Sequence, residues 1–332
     1  MSKFKIGVLS TARIVELGIV LPAKSMNVEL YSVAARDPEK ARKFAKQHNF
    51  TRYHNTYQQL IDDPKIDIIY NPLPNGLHGP WNIKAIKSGK HVLTEKPFSS
   101  NESEASTICE IVRSTNSFLM EGFHYSFHPV WIRINELLNI GVIGKLKKIN
   151  IVMIMPEAPV HDPRWSLELA GGALMDLGCY AMHIFNRLIS FGGGGPQIYK
   201  CRTHERLKNS GVDEKADVIV NYPNGLIGTV HCDMGGDRIE FTIEFIGEKG
   251  RIFAFNFLHP HMDDRILIET NQTTVIEKLG KTYSYTHQLQ SFLDYLQHSI
   301  SPIPLDESLE TMKLIDICYR LAKMEPRPTI VM

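Results

Sequence analysis

The sequence predicts an α/β protein: a doubly wound parallel sheet at the N-terminus, then an α+β part with a large, open, mostly antiparallel sheet. Three observations carry that reading. The first ~125 residues alternate short apolar runs with charged helical patterns, which is how buried parallel strands separated by helices read. A long apolar helix follows at about 172–190. From 197 to 278 strands then come in series, with turn signals between them.

In order, residues 4–9 (FKIGVL) form the first strand and 12–25 a helix ending near Lys24-Ser25. Residues 28–35 (VELYSVAA) form the second strand, and Asp37-Pro38 opens a charged helix, with an N-cap followed by proline at the first helical position. Residues 66–70 (IDIIY) are a strand, HGPWNIKAIKSGK a helix stopped at Gly89, HVLTEKP a strand, NESEASTICEIVRSTN a helix and SFLMEG a strand. A helix at about 128–140 leads to a strand near 147–155. Gly192–Gly195 ends the apolar helix. DVIVNYPNGLIGTVHC is a hairpin turning at Asn224-Gly225, and a second pair turns at Glu248-Lys249-Gly250. Two helices close the chain, 284–298 and 306–323, the latter capped by Asp306. The domain boundary is expected near residue 124, giving 1–124 and 125–332, with the last helices free to pack back on the first domain.

Lys+Arg is 37 against Asp+Glu 36, a net charge of +1, so no global basic field exists to hold a nucleic acid or an anionic membrane. Hydrophobic residues at 43% and charged residues at 22% fit an ordinary globule with a small-molecule partner. Ser10, Thr11, Arg13 and Glu16 break the first apolar run too early for an export signal, and no uncharged stretch of ~18 residues suggests a membrane span. Cys109, Cys179, Cys201, Cys232 and Cys318 are scattered and without a Cys-x-x-Cys pair, which reads as reduced thiols in a cytoplasmic protein.

The first strand running into a helix is where a dinucleotide-binding unit places its phosphate turn. The usual G-x-G-x-x-G is absent: Ser10, Ala12 and Val15 replace the three glycines in Ser10-Thr11-Ala12-Arg13-Ile14-Val15. Small residues survive at two of the positions, and a helix N-terminus can bind pyrophosphate through backbone N–H groups. At the second strand's end, Arg36, with Lys40 one turn on, suits a 2′-phosphate and so NADP(H) over NAD(H). Asp37 could instead serve a ribose hydroxyl, and the two cations read equally as solvated surface charges.

Asn71-Pro72-Leu73-Pro74-Asn75, His78 and Glu95-Lys96-Pro97, with EGFHYSFHP at 121–129 and GGALMDLGCYAMH at 171–183, resemble the glucose-fructose oxidoreductase / inositol dehydrogenase (Gfo/Idh/MocA) family. The likeness spans essentially the whole chain. The Ser-Thr-Ala-Arg-Ile turn is most similar to the branch of dimeric dihydrodiol dehydrogenases, NADP-linked xylose dehydrogenases and sugar 3-ketoreductases. The resemblance implies a Rossmann domain followed by an open-faced sheet, and hydride transfer between NADP(H) and a sugar, sugar derivative or vicinal diol. It implies that Lys96, near the nicotinamide, holds the substrate oxygen and tunes a phenol. Tyr180 matches the general acid/base position and Asp176 the aspartate one turn earlier.

Asp176, Tyr180, His183 and Arg187 recur at helical steps against an apolar background, so they share one helix face. Taken alone, that stripe reads as a solvent-facing side; if buried, it needs partners. By resemblance, Ser10, Thr11, Ala12, Arg13, Ile14, Arg36, Lys40, Leu73, Pro74, Asn75, His78, Glu95, Lys96, Arg164 and Trp165 contact the cofactor. Lys96, Tyr125, Asp162, Asp176 and Tyr180 contact the substrate. His78 could equally cap the helix it begins. Ser126 stands where many relatives carry Arg, which removes a familiar contact. His124 and His128 lie one turn apart, but no Cys or carboxylate joins them at ligand spacing, so no metal is expected; His259 and His261 read as a polar loop. Two other readings share these motifs: a non-catalytic NADP-binding regulator, and a glycosidase working by transient oxidation with bound NAD. The apolar content of the late strands suggests a homodimer, or a tetramer, formed through the open sheet.

Overall fold

The computed structural model describes residues 3–207, 210–298 and 303–332. They fall into two compact units, one of Met1–Phe123, Tyr285–Leu309 and Thr329–Met332, the other of His124–Ser284 and Glu310–Pro328. Among the described residues no helix is long and apolar enough to cross a membrane.

The first unit is built on a parallel sheet of six strands: β1 (Phe4–Leu9), β2 (Val28–Ala34), β3 (Arg52–His54), β4 (Ile68–Asn71), β5 (His91–Thr94) and β6 (Leu119–Glu121). Their order, β3-β2-β1-β4-β5-β6, reverses direction between β1 and β4, which is the switch point where such sheets bind ligands. Gly7 in β1 leaves room for Leu60 and Ile66: a Cβ there would lie 2.7 Å from Leu60 Cδ2. Asp37 caps the helix Pro38–Gln47 by accepting from the Glu39 N–H at 2.9 Å.

The helix expected over 12–25 is shorter and wider. Glu16–Val20 is a π-helix, in which the Leu21 N–H reaches back to the Glu16 carbonyl, followed by a single turn at Leu21–Ala23. Pro22 has no N–H to give to the preceding turn, and Gly18 admits a close neighbour: a Cβ there would lie 2.0 Å from the Tyr70 hydroxyl. Asp306 is not a cap either. The last long helix begins at Leu305, and the Asp306 carboxylate in its first turn pairs with Arg113.

The second unit carries eight strands: β7 (Leu146–Pro156), β8 (Gln197–Glu205), β9 (Asp213–Asn221), β10 (Ile227–Gly236), β11 (Glu240–Gly247), β12 (Gly250–Ala254), β13 (Arg265–Thr270) and β14 (Thr274–Lys278). Their order is β14-β13-β12-β11-β7-β10-β9-β8. Pairing is antiparallel except at the centre, where β10 runs parallel to β7. The long connection after β7 allows this, because it carries the chain back across the sheet before the hairpin starts. At that hairpin the Gly225 N–H reaches the Tyr222 carbonyl and the Tyr222 N–H the Leu226 carbonyl, with Gly225 at φ 87°.

One sheet face is packed by the helical stretch Leu174–Arg187. Gly228 of β10 leaves room for Phe185, which would sit 2.5 Å from a Cβ there. The other face carries a polar ladder: Thr229 donates to Asn150 (2.8 Å), Asn150 to Glu244 (3.0 Å), and Arg251 bridges Glu244 and Glu269.

The start of the packed stretch is pinned by a buried ion pair. Asp213 Oδ2 accepts the Leu174 N–H at 2.7 Å, while Oδ1 accepts from the Tyr319 hydroxyl and from Arg327. Arg327 also donates to the carbonyls of Gly171 (2.7 Å) and Gly211 (2.8 Å) and lies over the Tyr319 ring. Its side chain is 1% exposed and that of Asp213 is 0% exposed. Gly172, at φ +127°, is the only residue type that fits against this carboxylate, since a Cβ would lie 2.0 Å from Oδ1. Removing one partner strands the other charge in the core. Arg327→Met is therefore expected to cost about 3–5 kcal/mol in denaturant unfolding; a loss under ~1 kcal/mol would show that the pair does not anchor this stretch.

Candidate functional site

In the first unit, the residues expected to meet a nucleotide sit at the carboxyl ends of β1, β2, β4 and β5. Ser10 has φ 130°, a left-handed backbone that glycine adopts freely and serine does not. So the chain keeps the glycine conformation of the missing fingerprint at its first position. The Ser10 N–H bonds the Ala34 carbonyl at 2.8 Å, and Ser10 Oγ accepts the Ala12 N–H at 3.0 Å. Thr11, Ala12 and Ile14 are half-buried along this turn, and Arg13 is exposed. Arg36 and Lys40, just past the end of β2, are also exposed. A small-residue turn flanked by two cations is suited to a phosphorylated ligand.

Beyond β4, Leu73 is buried and Pro74 and Asn75 are half-buried. Behind them His78 is buried, and neither ring nitrogen caps its helix. Nε2 lies 2.7 Å from the Leu73 carbonyl and Nδ1 2.7 Å from the Pro97 carbonyl. A neutral ring has one N–H and so donates to only one of these carbonyls; the ring sits between the loop after β4 and the loop after β5 and bonds both only when protonated. Burial pushes His78 down to about 4, against the pull of the two carbonyls. Glu95 is turned inward, its Oε1 accepting the Tyr70 hydroxyl at 2.8 Å. Lys96 is half-buried and precedes Pro97 through a cis peptide bond. Its ammonium acts electrostatically on His78 and on Glu121, a carboxyl at the end of β6. Burial pushes Glu121 up to about 8, partly offset by Ser308, Phe98 and Lys96. Glu121 opens the EGFHYSFHP motif, but nothing in the local sequence marks it as a buried carboxyl, because that follows from where the sheet puts it.

In the second unit Asp176, Tyr180 and His183 of the polar stripe are buried, each with a partner, and Arg187 at its end is half-buried. Leu174–Gly178 is a π-helix that contains Asp176, and Cys179–Arg187 continues as α-helix. Helical periodicity does not show this wide turn, which follows Gly172 and ends on Gly178; such turns recur at functional sites. Asp176 Oδ2 accepts Arg164 Nε at 2.7 Å, and Arg164 Nη1 also lies 3.3 Å from both oxygens of Asp162. Asp176 and then Asp162 hold the guanidinium firmly protonated. This brings together three residues expected at the site: Asp162, Arg164 and Asp176. Trp165 stands apart from them, its Nε1 on the Ala158 carbonyl at 3.2 Å and its ring beneath Arg206 at 3.9 Å.

Tyr180, one turn past Asp176, has its hydroxyl 3.3 Å from His124 Nε2. The other nitrogen of that ring, Nδ1, lies 2.8 Å from Ser284 Oγ. His183, one turn further, has Nδ1 2.7 Å from the Tyr125 hydroxyl. The buried Tyr125 ring packs edge-on to Trp131, Phe257 and Tyr180, so it backs the Tyr180 ring. His128 caps the helix Pro129–Asn139 through Nδ1 on the Val130 N–H, separately from His124. His259 and His261 lie half-buried in the loop after β12, His259 edge-on to Phe241 and His261 tilted against His259 and Tyr283.

Residues 4–123 match the family model described as an oxidoreductase family with an NAD-binding Rossmann fold, GFO_IDH_MocA, and residues 131–253 match the GFO/IDH/MocA C-terminal domain. The chain is 28% identical to D-xylose 1-dehydrogenase (NADP(+)) 2 of Haloferax volcanii over 323 residues, covering 96% of this chain and 97% of that one. It is 36% identical to a trans-1,2-dihydrobenzene-1,2-diol dehydrogenase of Xenopus laevis over 66% of this chain and 65% of that one. Among solved structures, a 3-ketoreductase from Actinomadura kijaniata, crystallised with NADP and TDP-benzene, superposes with a TM-score of 0.87 at 22% identity. That match covers 95% of this chain and 96% of that one and speaks to the fold.

Glu121 and His78 leave opposite marks on stability. His78, lowered in the folded state, contributes stability that is lost as pH falls below about 6.5 toward 4. Glu121, raised to about 8, leaves the folded state binding more protons than the unfolded chain, so stability falls as pH rises toward 8. Between pH 6.5 and 8 the wild-type protein should lose about 1–2 kcal/mol of unfolding free energy, and Glu121→Gln should flatten that slope. An unchanged slope in the variant would show that Glu121 is ionised in the folded protein.

Proposed function

The chain belongs to the Gfo/Idh/MocA oxidoreductase family, and on that premise we propose that it is an NADP(H)-dependent oxidoreductase acting on a sugar, a sugar derivative or a vicinal diol. The observation that carries this reading is Tyr180, whose phenol is buried and hydrogen-bonded to His124 on the polar face of its helix. When bound, NADP(H) supplies or accepts the hydride. The Ser10–Ile14 turn would hold its pyrophosphate, and Arg36 and Lys40 its 2′-phosphate. Leu73, Pro74, Asn75 and His78, with Glu95, would shape the wall beside it, and Arg164 and Trp165 would complete the cofactor contacts.

The chemistry assigned to the chain's own groups is proton transfer and charge stabilisation. Tyr180 gives a proton to the substrate oxygen in reduction and takes it in oxidation. Lys96 holds that oxygen and favours the phenolate through its positive charge. Asp176, paired to Arg164, fixes the helix turn before Tyr180, and Asp162 completes the substrate contacts, while Tyr125, buried with its hydroxyl on His183, serves the substrate through the Tyr180 ring it backs. Five buried thiols fit a cytoplasmic protein. For assembly we favour a homodimer through the outward sheet face, where half-buried Val152, Ile219, Phe253 and Leu267 lie among the polar ladder; a monomeric mass at micromolar concentration would contradict it.

Lys96→Ala and Tyr180→Phe should each lower kcat by about 10²-fold or more in assays of NADP⁺ with aldoses and trans-diols. Full activity in both variants would remove this assignment, and tight NADP⁺ binding without turnover on the whole panel would favour a regulator. Arg36→Ala should reduce the preference for NADP⁺ over NAD⁺ in kcat/KM by roughly 10–100-fold, the worth of a charge-assisted hydrogen bond. An unchanged preference would place the 2′-phosphate elsewhere.

A further inference from the structure

His124 is 1% exposed, Ser284 2% and Tyr180 3%. These three come from distant parts of the second unit: a short 3₁₀ turn at His124–Phe127, the first residue of the helix Ser284–His298, and the helix Cys179–Arg187. The imidazole lies between the other two, with Nδ1 2.8 Å from Ser284 Oγ and Nε2 3.3 Å from the Tyr180 hydroxyl. Its ring stands edge-on to the phenol, with centroids 5.9 Å apart at 74°. An imidazole buried only to fill space would cost desolvation that an apolar ring avoids.

The direction of these bonds follows from donor arithmetic. A phenol has one hydrogen. If Tyr180 is to hand that hydrogen to a substrate oxygen, it cannot also spend it on His124, so Nε2 must carry the N–H and donate to the phenol oxygen. A neutral ring protonated at Nε2 has a bare Nδ1, which must accept a hydrogen, and the Ser284 hydroxyl can supply one. The chain of donors then runs from Ser284 to His124 to Tyr180 to the substrate.

We propose that His124 is a positioning residue for proton transfer by Tyr180, and that Ser284 sets its tautomer; this rests on the assignment of Tyr180 as the acid/base. In reduction the carbonyl carbon takes the hydride and the carbonyl oxygen takes the phenolic proton as the Tyr180 O–H bond breaks. The phenolate left behind is stabilised by the His124 Nε2–H, which stays on the ring, and water reprotonates it after the product leaves. In oxidation the same N–H favours the phenolate that accepts the proton.

The test is a set of variants assayed with the best panel substrate and NADP(H): His124→Phe, His124→Gln, Ser284→Ala, Tyr180→Phe, and the His124→Phe/Tyr180→Phe double variant. Thermal melting and NADPH affinity check folding. His124→Phe should cut kcat by about 10–100-fold while KM and NADPH affinity stay within about 3-fold. His124→Gln, whose amide N–H reaches about as far as Nε2, should recover most of that loss. Ser284→Ala should cost about 3–10-fold in kcat, and it carries the test if His124→Phe does not fold. In the Tyr180→Phe background, His124→Phe should cost nothing further. Wild-type kcat in folded His124→Phe or in Ser284→Ala, or a loss of equal size with and without the Tyr180 hydroxyl, would overturn the proposal. Wild-type kcat in Tyr180→Phe itself would instead bring down the assignment on which the proposal rests.

Discussion

A helix that is apolar on most of its surface and buried cannot leave a polar face unpartnered, and that constraint organises the second unit. Leu174–Arg187 places Asp176, Tyr180 and His183 in the interior. Each then draws in a partner from elsewhere in the chain: Arg164, His124 and Tyr125 respectively. Leaving one such group unmatched would cost on the order of 1–3 kcal/mol. Satisfying the helix therefore fixes the loop around Asp162, the turn at His124 and, through that histidine, Ser284. The same bonds that make the helix tolerable inside the protein give its phenol one orientation.

That orientation is only as good as the placement of the helix. Asp213 holds the Leu174 N–H, Arg327 holds Asp213 and the carbonyls of Gly171 and Gly211, and Gly172 supplies a backbone that brings the turn against the carboxylate. The π-turn that follows carries Asp176. In the first unit His78 has a comparable role, since its imidazole sits between the loop before its helix and the cis-proline loop that carries Lys96. Both units hold these stretches through backbone carbonyls and buried polar side chains.

The parts of this arrangement visible in the sequence were those with local or periodic signals. Short apolar runs announced β1, β2, β4 and β5, Asp37-Pro38 announced the helix it caps, and the spacing of Asp176, Tyr180 and His183 announced a shared face. Whether that face pointed inward was not legible, because it depends on residues far along the chain; Ser284 is 160 positions from the histidine it binds. The two π-turns were invisible because helical periodicity assumes a constant 3.6 residues per turn. The parallel β7–β10 pair was hidden by the antiparallel hairpins around it. Ser10 is the subtler case: the missing glycine argued against a phosphate turn, yet the backbone there still adopts the glycine conformation. Composition hid a geometry that the chain preserved.

The most direct measurement of the central claim is a crystal structure with NADP⁺ and a poorly reactive substrate analogue bound. The Tyr180 phenol oxygen should lie within about 3.2 Å of the analogue's oxygen while still bonded to His124 Nε2. An analogue oxygen held by other groups, with the phenol turned from it, would contradict the account.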